Sequence, residues 1–388
     1  MKLTLSLTHN CNLNCPYCYA GRKFKKDMSF DTAKKIIDYG MLMATPGERV
    51  EIGFFGGEPF LRFKQIKEIV AYSREIEQRS HSPIDFHITT NGTLLTTQNL
   101  SFLQDENIGL CVSIDGPAYI HDRNRRYRNG RGSFNTVMRN LGLAAEALDK
   151  VQVNAVYAPE SIGSLAEIVS FFVDYEIPLI HLNPNITSTW DEPNIELLED
   201  SYRAVADVYI DSYQKGNEIA VNLIDSKVIV FLKQGYEGAD RCGMGTTELG
   251  FAPSGNIYPC ERFIGQDDGG ALCLGNIHTG INITNRCAVL KQRGNHNPEC
   301  ATCSLGKYCM NWCGCTNYFM TGDAGLSSTF LCRSEKASMQ AAQYTLDTLH
   351  NNDLFVDHFY RYLNKGRQFI PGIILKEKSH ERQSYISS

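Results

Sequence analysis

Residues 3–18 read Leu-Thr-Leu-Ser-Leu-Thr-His-Asn-Cys-Asn-Leu-Asn-Cys-Pro-Tyr-Cys, an apolar run leading directly into Cys11, Cys15 and Cys18. The pattern over Leu3–Leu7 predicts a strand whose carboxyl end opens into a loop bearing three thiols. Similar short apolar runs recur at Val50–Phe55, Asp85–Thr89, Gly109–Ile114, Val151–Tyr157 and Leu179–Leu182. Amphipathic stretches separate them at about 30–43, 63–79, 97–106, 134–148 and 162–175, and a long helix is expected at roughly 194–214. Ser29 reads as an N-cap, with Asp31 in the first turn behind it. Such strand–helix alternation implies parallel βαβ units. Six units make an α/β fold of the partial (β/α)6, TIM-like barrel kind, open and curved, with functional residues at the carboxyl ends of its strands.

The chain of 388 residues carries 43% hydrophobic and 21% charged residues, ordinary globular usage with room for more than one domain. A net charge of −5 argues against nucleic acid or an anionic membrane as the main partner. There is no signal-peptide pattern and no apolar run of the ~20 residues that a spanning helix needs, so a cytoplasmic protein is expected. Cysteine is the outlier, at 14 residues. Apart from Cys111, which lies in an apolar strand and reads as core, three fall at 11–18 and ten between 242 and 332. Reduced intracellular thiols at short regular spacings point to metal. The barrel accounts for residues 1–214 and a helical connector, apolar over Ser226–Lys233, for 215–240. Loop-rich sequence at 241–333 needs metal staples to hold it. Helix returns over 334–364, and a tail with weak signals closes the 334–388 segment.

Three thiolates in one short loop suit a [4Fe–4S] cluster with one iron left for a non-protein ligand, with structural zinc as the alternative. Here the chain resembles the radical S-adenosylmethionine (SAM) superfamily, whose signature is Cx3CxΦC with an aromatic Φ, in this sequence Tyr17. The resemblance implies that SAM binds the free iron and that an electron cleaves it to methionine and a 5′-deoxyadenosyl radical, which abstracts hydrogen from substrate. It continues at Gly56-Gly57-Glu58-Pro59 after the second strand, matching the family's GGE motif at the methionine ammonium. Glycines let backbone approach closely, and Glu58 offers a carboxylate to a cation. Thr89-Thr90-Asn91-Gly92 and Ser113-Ile114-Asp115-Gly116 end the next two strands. The resemblance places Asn91 in the SAM pocket, with Ser113 and Asp115 on its ribose side, although TNG and DG are also ordinary turn chemistry. His121–Gly132 holds five arginines, most of them read as a solvated loop. The HDxxR pattern at His121, Asp122 and Arg125 singles out Arg125 as partner for the SAM carboxylate.

The second region runs Cys242, Gly255, Cys260, then Cys300-x2-Cys303-x5-Cys309-x3-Cys313, then Cys332. This resembles the seven-cysteine SPASM pattern. The resemblance implies two auxiliary [4Fe–4S] clusters, three clusters in all: Cys300, Cys303, Cys309 and Cys332 on the outer one, Cys242, Cys260 and Cys313 on the inner one. Two four-thiolate zinc sites are the competing assignment. The inner set is one thiolate short, its fourth position open, taken by substrate, or filled by Cys273, Cys287 or Cys315. Glu261, directly after Cys260, occupies the place of an acidic residue proposed in sulfatase-maturating relatives to deprotonate substrate; a surface loop Glu is the plain alternative.

The reading is therefore an oxidoreductase acting on a peptide or protein, a RiPP-type maturase making a thioether or carbon–carbon crosslink or a dehydrogenation. An external electron donor such as flavodoxin or ferredoxin is implied. Formylglycine formation from Cys or Ser by an anaerobic sulfatase-maturating enzyme stands second, because Phe55 precedes Gly56-Gly57 where those maturases typically carry Gln. A small-molecule dehydrogenase is third. A non-enzymatic iron–sulfur or zinc scaffold is the alternative from another class, and GGEP at a strand end counts against it. Cys11 leaves no room for a leader-binding domain before the barrel, so substrate recognition falls to the barrel, the tail, a separate leader-peptide-binding protein, or β-augmentation on an exposed Leu3–Leu7 edge.

Overall fold

Leu3, Leu5 and Leu7 are all fully buried, as expected of a parallel strand covered on both faces. They belong to β1 (Lys2–Ser6) and its exit, the first of a parallel series with β2 (Val50–Phe55), β3 (Ile84–Thr90), β4 (Ile108–Ser113), β5 (Val151–Tyr157), β6 (Leu179–Pro184) and the short β7 (Ala220–Val221). The computed structural model describes residues 1–366 apart from His81 and Trp312, with side chains to Arg361 except that of Ala239. The rest of the tail lies outside the described residues.

Helices α1 (Phe30–Met43), α2 (Phe63–Ser80), α3 (Thr97–Asp105), α4 (Ala118–Asn124), α5 (Phe134–Ala147) and α6 (Leu165–Asp174) fill the crossovers between strands. Their starts follow from capping chemistry: the Ser29 hydroxyl accepts from Thr32 N–H at 3.0 Å, and Thr96 and Asn99 form a reciprocal capping box at α3. Each presents an aliphatic stripe to the sheet, such as Ile36 and Ile37 of α1 and Ile168, Val169 and Phe172 of α6, all without exposure. The expected long helix is split into α7 (Glu192–Glu196) and α8 (Leu198–Gln214). The expected connector begins with β7, paired to β6, and continues as α9 (Asn222–Leu232), buried at Ile224 and Val228.

Beyond residue 241 the strand signal does not vanish. β8 (Glu248–Phe251) pairs parallel with β1, Lys2 opposite Glu248 and Leu3 opposite Leu249. β9 (Asn256–Tyr258), β10 (Gly275–Asn276) and β11 (Gly280–Ile281) extend it antiparallel, giving one sheet in the order β11-β10-β9-β8-β1-β2-β3-β4-β5-β6-β7. The Leu3–Leu7 edge is therefore not exposed, and β-augmentation there is excluded: its backbone groups are already taken by β8. Helices α10 (Ile283–Gln292), α11 (Gly314–Thr321), α12 (Thr329–Leu349) and α13 (Asp353–Gly366) complete the described residues. The expected helix over 334–364 starts earlier, capped by Ser328, and is interrupted at 350–352. Among the described residues no helix is long and apolar enough to cross a membrane.

Candidate active site

The carboxyl ends of β1 to β6 surround a cavity of about 160 Å³. Cys11, Cys15 and Cys18 line it together with Tyr17, Gly56, Gly57, Asn91, Ser113 and Arg125. The sequence motifs thus converge on one place, as the barrel rule requires.

The three-thiol loop is held by its neighbours. Gly57 N–H donates to Thr8 C=O at 2.7 Å and Glu58 N–H to Asn10 C=O at 2.9 Å, so the end of β2 grips the segment leading into the loop. Glycine is needed for that grip: a Cβ on Gly57 would lie 2.0 Å from Asn10 O, and Gly56 sits at φ 125°. Leu13 N–H and the Asn91 amide donate to Cys11 Sγ at 3.4 and 3.6 Å, and Lys23 Nζ donates to Cys18 Sγ at 2.9 Å. Donors aimed at sulfur favour the thiolate form that ligates iron. Burial works the other way in the protein without iron, pushing the Cys15 thiol up to about 12.

Glu58 does not face the cavity. It is fully buried, accepting Phe60 N–H at 3.0 Å and the Thr90 hydroxyl at 2.7 Å on one oxygen and Asn91 N–H at 2.8 Å on the other. Burial nonetheless pushes its carboxyl up to about 7. It fixes Asn91, whose amide reaches both Cys11 and Asn12. Asp115 is likewise spent inside the protein. It takes Tyr17 OH at 2.5 Å, Arg125 Nε at 3.0 Å and Val156 N–H at 3.0 Å, and has no exposure. Of the two ribose-side candidates, Ser113 lines the cavity and Asp115 positions Tyr17 and Arg125 behind it. The HDxxR residues divide the labour. His121, held neutral by burial with its pKa near 4, meets Asp115 N–H and Ser133 Oγ; Asp122 accepts Ser133 and Phe134 N–H at the start of α5; Arg125 reaches the cavity.

Other residues on the cavity wall have no motif to announce them. Asn154 and Asn183 project from β5 and β6 and bond to each other at 2.7 Å, with Asn185 and Ile186 just beyond. Their signal was only their place near the carboxyl ends of predicted strands. Arg262 also lines the cavity, over the Tyr19 ring at 5.9 Å, while its Nη1 donates to Thr316 at 2.9 Å. Its neighbour Glu261 is not on the wall; that carboxylate accepts from Cys260 Sγ at 3.1 Å.

Behind Arg262 stand the second-region thiols. Cys313 Sγ is 3.7 Å from Cys315 Sγ, Cys315 is close enough to Cys260 for the two thiols to interact, and Cys242 is close enough to Cys313 to do the same. A separate cavity of about 350 Å³ is lined by Cys300, Cys303, Cys309 and Cys332 together, with Asn311 donating to Cys300 Sγ at 3.3 Å. Among the described residues no three His, Cys, Asp or Glu side chains form a group able to hold a metal ion. A cubane makes a different demand, one thiolate per iron, so its ligands ring a site rather than meet at a point. Three soft thiols around one cavity, with N–H donors on two of them, fit a SAM-type cluster at Cys11, Cys15 and Cys18.

The radical SAM superfamily profile matches residues 5–172. The serine-type anaerobic sulfatase-maturating enzyme of Bacteroides thetaiotaomicron is 25% identical over 83% of this chain and 84% of its own. Among solved structures, native anSMEcpe with bound AdoMet superposes with TM-score 0.77 at 19% identity, covering 90% of this chain and 99% of the other. SuiB of Streptococcus suis bound to its precursor peptide SuiA matches with TM-score 0.60 at 17% identity, over 85% and 75%. At these identities the structural likenesses establish fold, and the motif residues supply the chemistry. Residues 5–172, with the three-thiol loop and the strand-end motifs, thus match the radical SAM superfamily, and the chain as a whole, its cysteine-rich extension following that span, shares the fold of anSMEcpe.

Proposed function

We propose that this enzyme oxidises a cysteine or serine side chain of a protein substrate to an aldehyde, the reaction of sulfatase maturation. The carrying observation is end-to-end correspondence: the fold spans 99% of anSMEcpe and includes the auxiliary region as well as the barrel. That weighs more than Phe55, the residue that placed this reading second.

When bound, the clusters would supply the electron that cleaves SAM and accept the electron left on the substrate radical, making the net change a two-electron oxidation. The protein's own residues bind and orient. Cys11, Cys15 and Cys18 hold the SAM cluster, and Arg125, kept in place by Asp115, offers its fork to the SAM carboxylate. Gly56, Gly57, Asn91 and Ser113 shape the rest of that pocket. The Asn154–Asn183 pair and Asn185 face the remaining space and would take the substrate backbone. Cys300, Cys303, Cys309 and Cys332 would hold the outer auxiliary cluster, whose exposed Cys303 and Cys332 suit exchange with an external donor such as flavodoxin or ferredoxin. Cys242, Cys260 and Cys313 belong to the inner one. Glu261 loses its bond from Cys260 once that sulfur ligates iron; standing off the cavity wall, it would serve as base only for a substrate side chain that reaches past the wall toward Cys260.

The test is anaerobic turnover with SAM, dithionite and peptides carrying a single internal cysteine or serine. A hydrazine-reactive aldehyde forming in step with 5′-deoxyadenosine is the expected result. A second reading, the RiPP-type crosslink or dehydrogenation, is favoured by Phe55, which stacks on Tyr19 at 6.1 Å where those maturases carry Gln. A crosslinked or dehydrogenated product without aldehyde would establish that reading and exclude the first.

A further inference from the structure

The inner auxiliary set inherited from the cysteine pattern contains Cys242, Cys260 and Cys313, and the 242–260 interval holds no further cysteine. We propose that Cys315 is the fourth thiolate of this site, so that its cluster is fully ligated by the protein and has no iron open to substrate. This inference rests on the auxiliary-cluster reading given above.

Cys315 is the one spare thiol already among these three. Its sulfur lies 3.7 Å from that of Cys313, it is close enough to Cys260 for the two thiols to interact, and it is 4% exposed. It sits in the first turn of α11, two residues after Cys313, and the residue between them marks how near that turn comes. A Cβ on Gly314 would lie 2.7 Å from the Met244 methyl, so the start of α11 packs directly on the side chain of Met244, two residues from Cys242. The other spare thiols are bonded elsewhere or exposed. Cys273 donates to Gly275 C=O at 3.1 Å, and Cys287 is exposed on α10. Arg262 adds a charge argument: its guanidinium is close enough to interact with the sulfurs of Cys315, Cys313 and Cys260. A cation there compensates the negative charge that four thiolates bring to a cluster. On ligation each thiol gives up its proton, and the sulfur–sulfur contacts now seen give way to sulfur–iron bonds.

The consequence concerns the substrate. With Cys315 in place, a substrate thiolate cannot anchor to the inner cluster, which is left to exchange electrons without binding substrate. Recognition must then come from the barrel wall, equally for a cysteine or a serine side chain.

The test starts from the Cys11/Cys15/Cys18→Ala chain, in which all remaining iron is auxiliary. After anaerobic reconstitution, iron, sulfide and zinc are measured and EPR is recorded with and without dithionite. Adding Cys315→Ala is expected to remove roughly one of ~8 irons, or to yield a [3Fe–4S] signal without reductant, while adding Cys273→Ala changes neither. Unchanged iron and EPR on adding Cys315→Ala would overturn the assignment and leave the auxiliary clusters standing. Zinc in place of iron in the starting chain overturns both. If Cys315→Ala does not fold, the starting chain itself decides. Added cyanide should leave its auxiliary EPR signals unmoved, and a shifted signal, the mark of an open iron, overturns the proposal.

Discussion

Tyr17 and Arg125 meet on a single carboxylate, and the two contacts are unequal. Arg125 is a charge 7% exposed whose ion pair is with Asp115 at 3.0 Å, whereas Tyr17 contributes one neutral hydroxyl to the same group. Removing the acid strands a buried guanidinium, a loss of about 3–5 kcal/mol, while removing the phenol hydroxyl costs about 1–2 kcal/mol. Asp115→Asn should therefore lower stability in denaturant titration by several-fold more than Tyr17→Phe, and should weaken SAM binding because Arg125 loses its anchor. Equal effects from the two variants would show that the carboxylate does not position Arg125. This is also where reading by motif stops short. GGEP, TNG and DG lie at strand ends, so their position was legible from alternation and turn chemistry. Which way a side chain turns was not, because Glu58 and Asp115 are directed by partners 33 and 98 residues away in sequence, Asn91 and Tyr17. Arg262 had no motif of its own and was overshadowed by Glu261.

Helix α13 shows a different dependence on charge. Its His358 is bonded through both ring nitrogens to carboxylates, Glu218 at 3.1 Å and Asp225 at 3.1 Å, and Arg361 also reaches Glu218. Burial opposes the imidazolium, but those two acids outweigh it and hold the His358 pKa above 6.5. A histidine with a raised folded pKa contributes its full stabilisation below pH 6.5 and loses it as pH climbs through the folded value. Apolar contact adds to it, Phe355 lying edge-on to Tyr213 at 5.4 Å, and does not titrate in that window. Hydrogen-exchange protection factors over 353–361 should thus fall on raising the pH above that range while those of the barrel strands hold. His358→Gln should flatten the profile. A pH-independent protection factor in the unmodified chain would refute the charge account. The helix itself was legible from its periodicity. Its attachment to the 218–225 segment was not, because nothing local to either stretch encodes the pairing.

At the scale of the molecule, the contact least visible in the sequence is the one that joins barrel and cysteine-rich region: β8 against β1. Lys2 N–H donates to Thr247 C=O at 2.7 Å, and the register then runs from Lys2↔Glu248 to Leu5↔Phe251. The strand run at the start of the chain was recognisable, but an edge looks the same in sequence whether it is free or paired with residues 246 positions on. Two physical consequences follow from this pairing. Without it, β1 would present unpaired backbone beside Leu3, Leu5 and Leu7, the flat apolar edge that recruits other chains. Also lost would be Arg262 from the cavity wall, the ion pair of Asp267 with Lys26 at 2.9 Å and the approach of His9 to the same carboxylate at 3.5 Å, which tie the segment on either side of Cys11 to the extension. The extension is therefore a structural part of the SAM site as well as a carrier of its own thiols. A chain ending at residue 240 is expected to aggregate or elute as oligomers in size-exclusion chromatography, and its soluble fraction to retain little of the iron bound by Cys11, Cys15 and Cys18. A monomeric 1–240 fragment that unfolds cooperatively and reconstitutes a SAM-responsive cluster would show that the barrel closes on its own and that β8 merely docks against it.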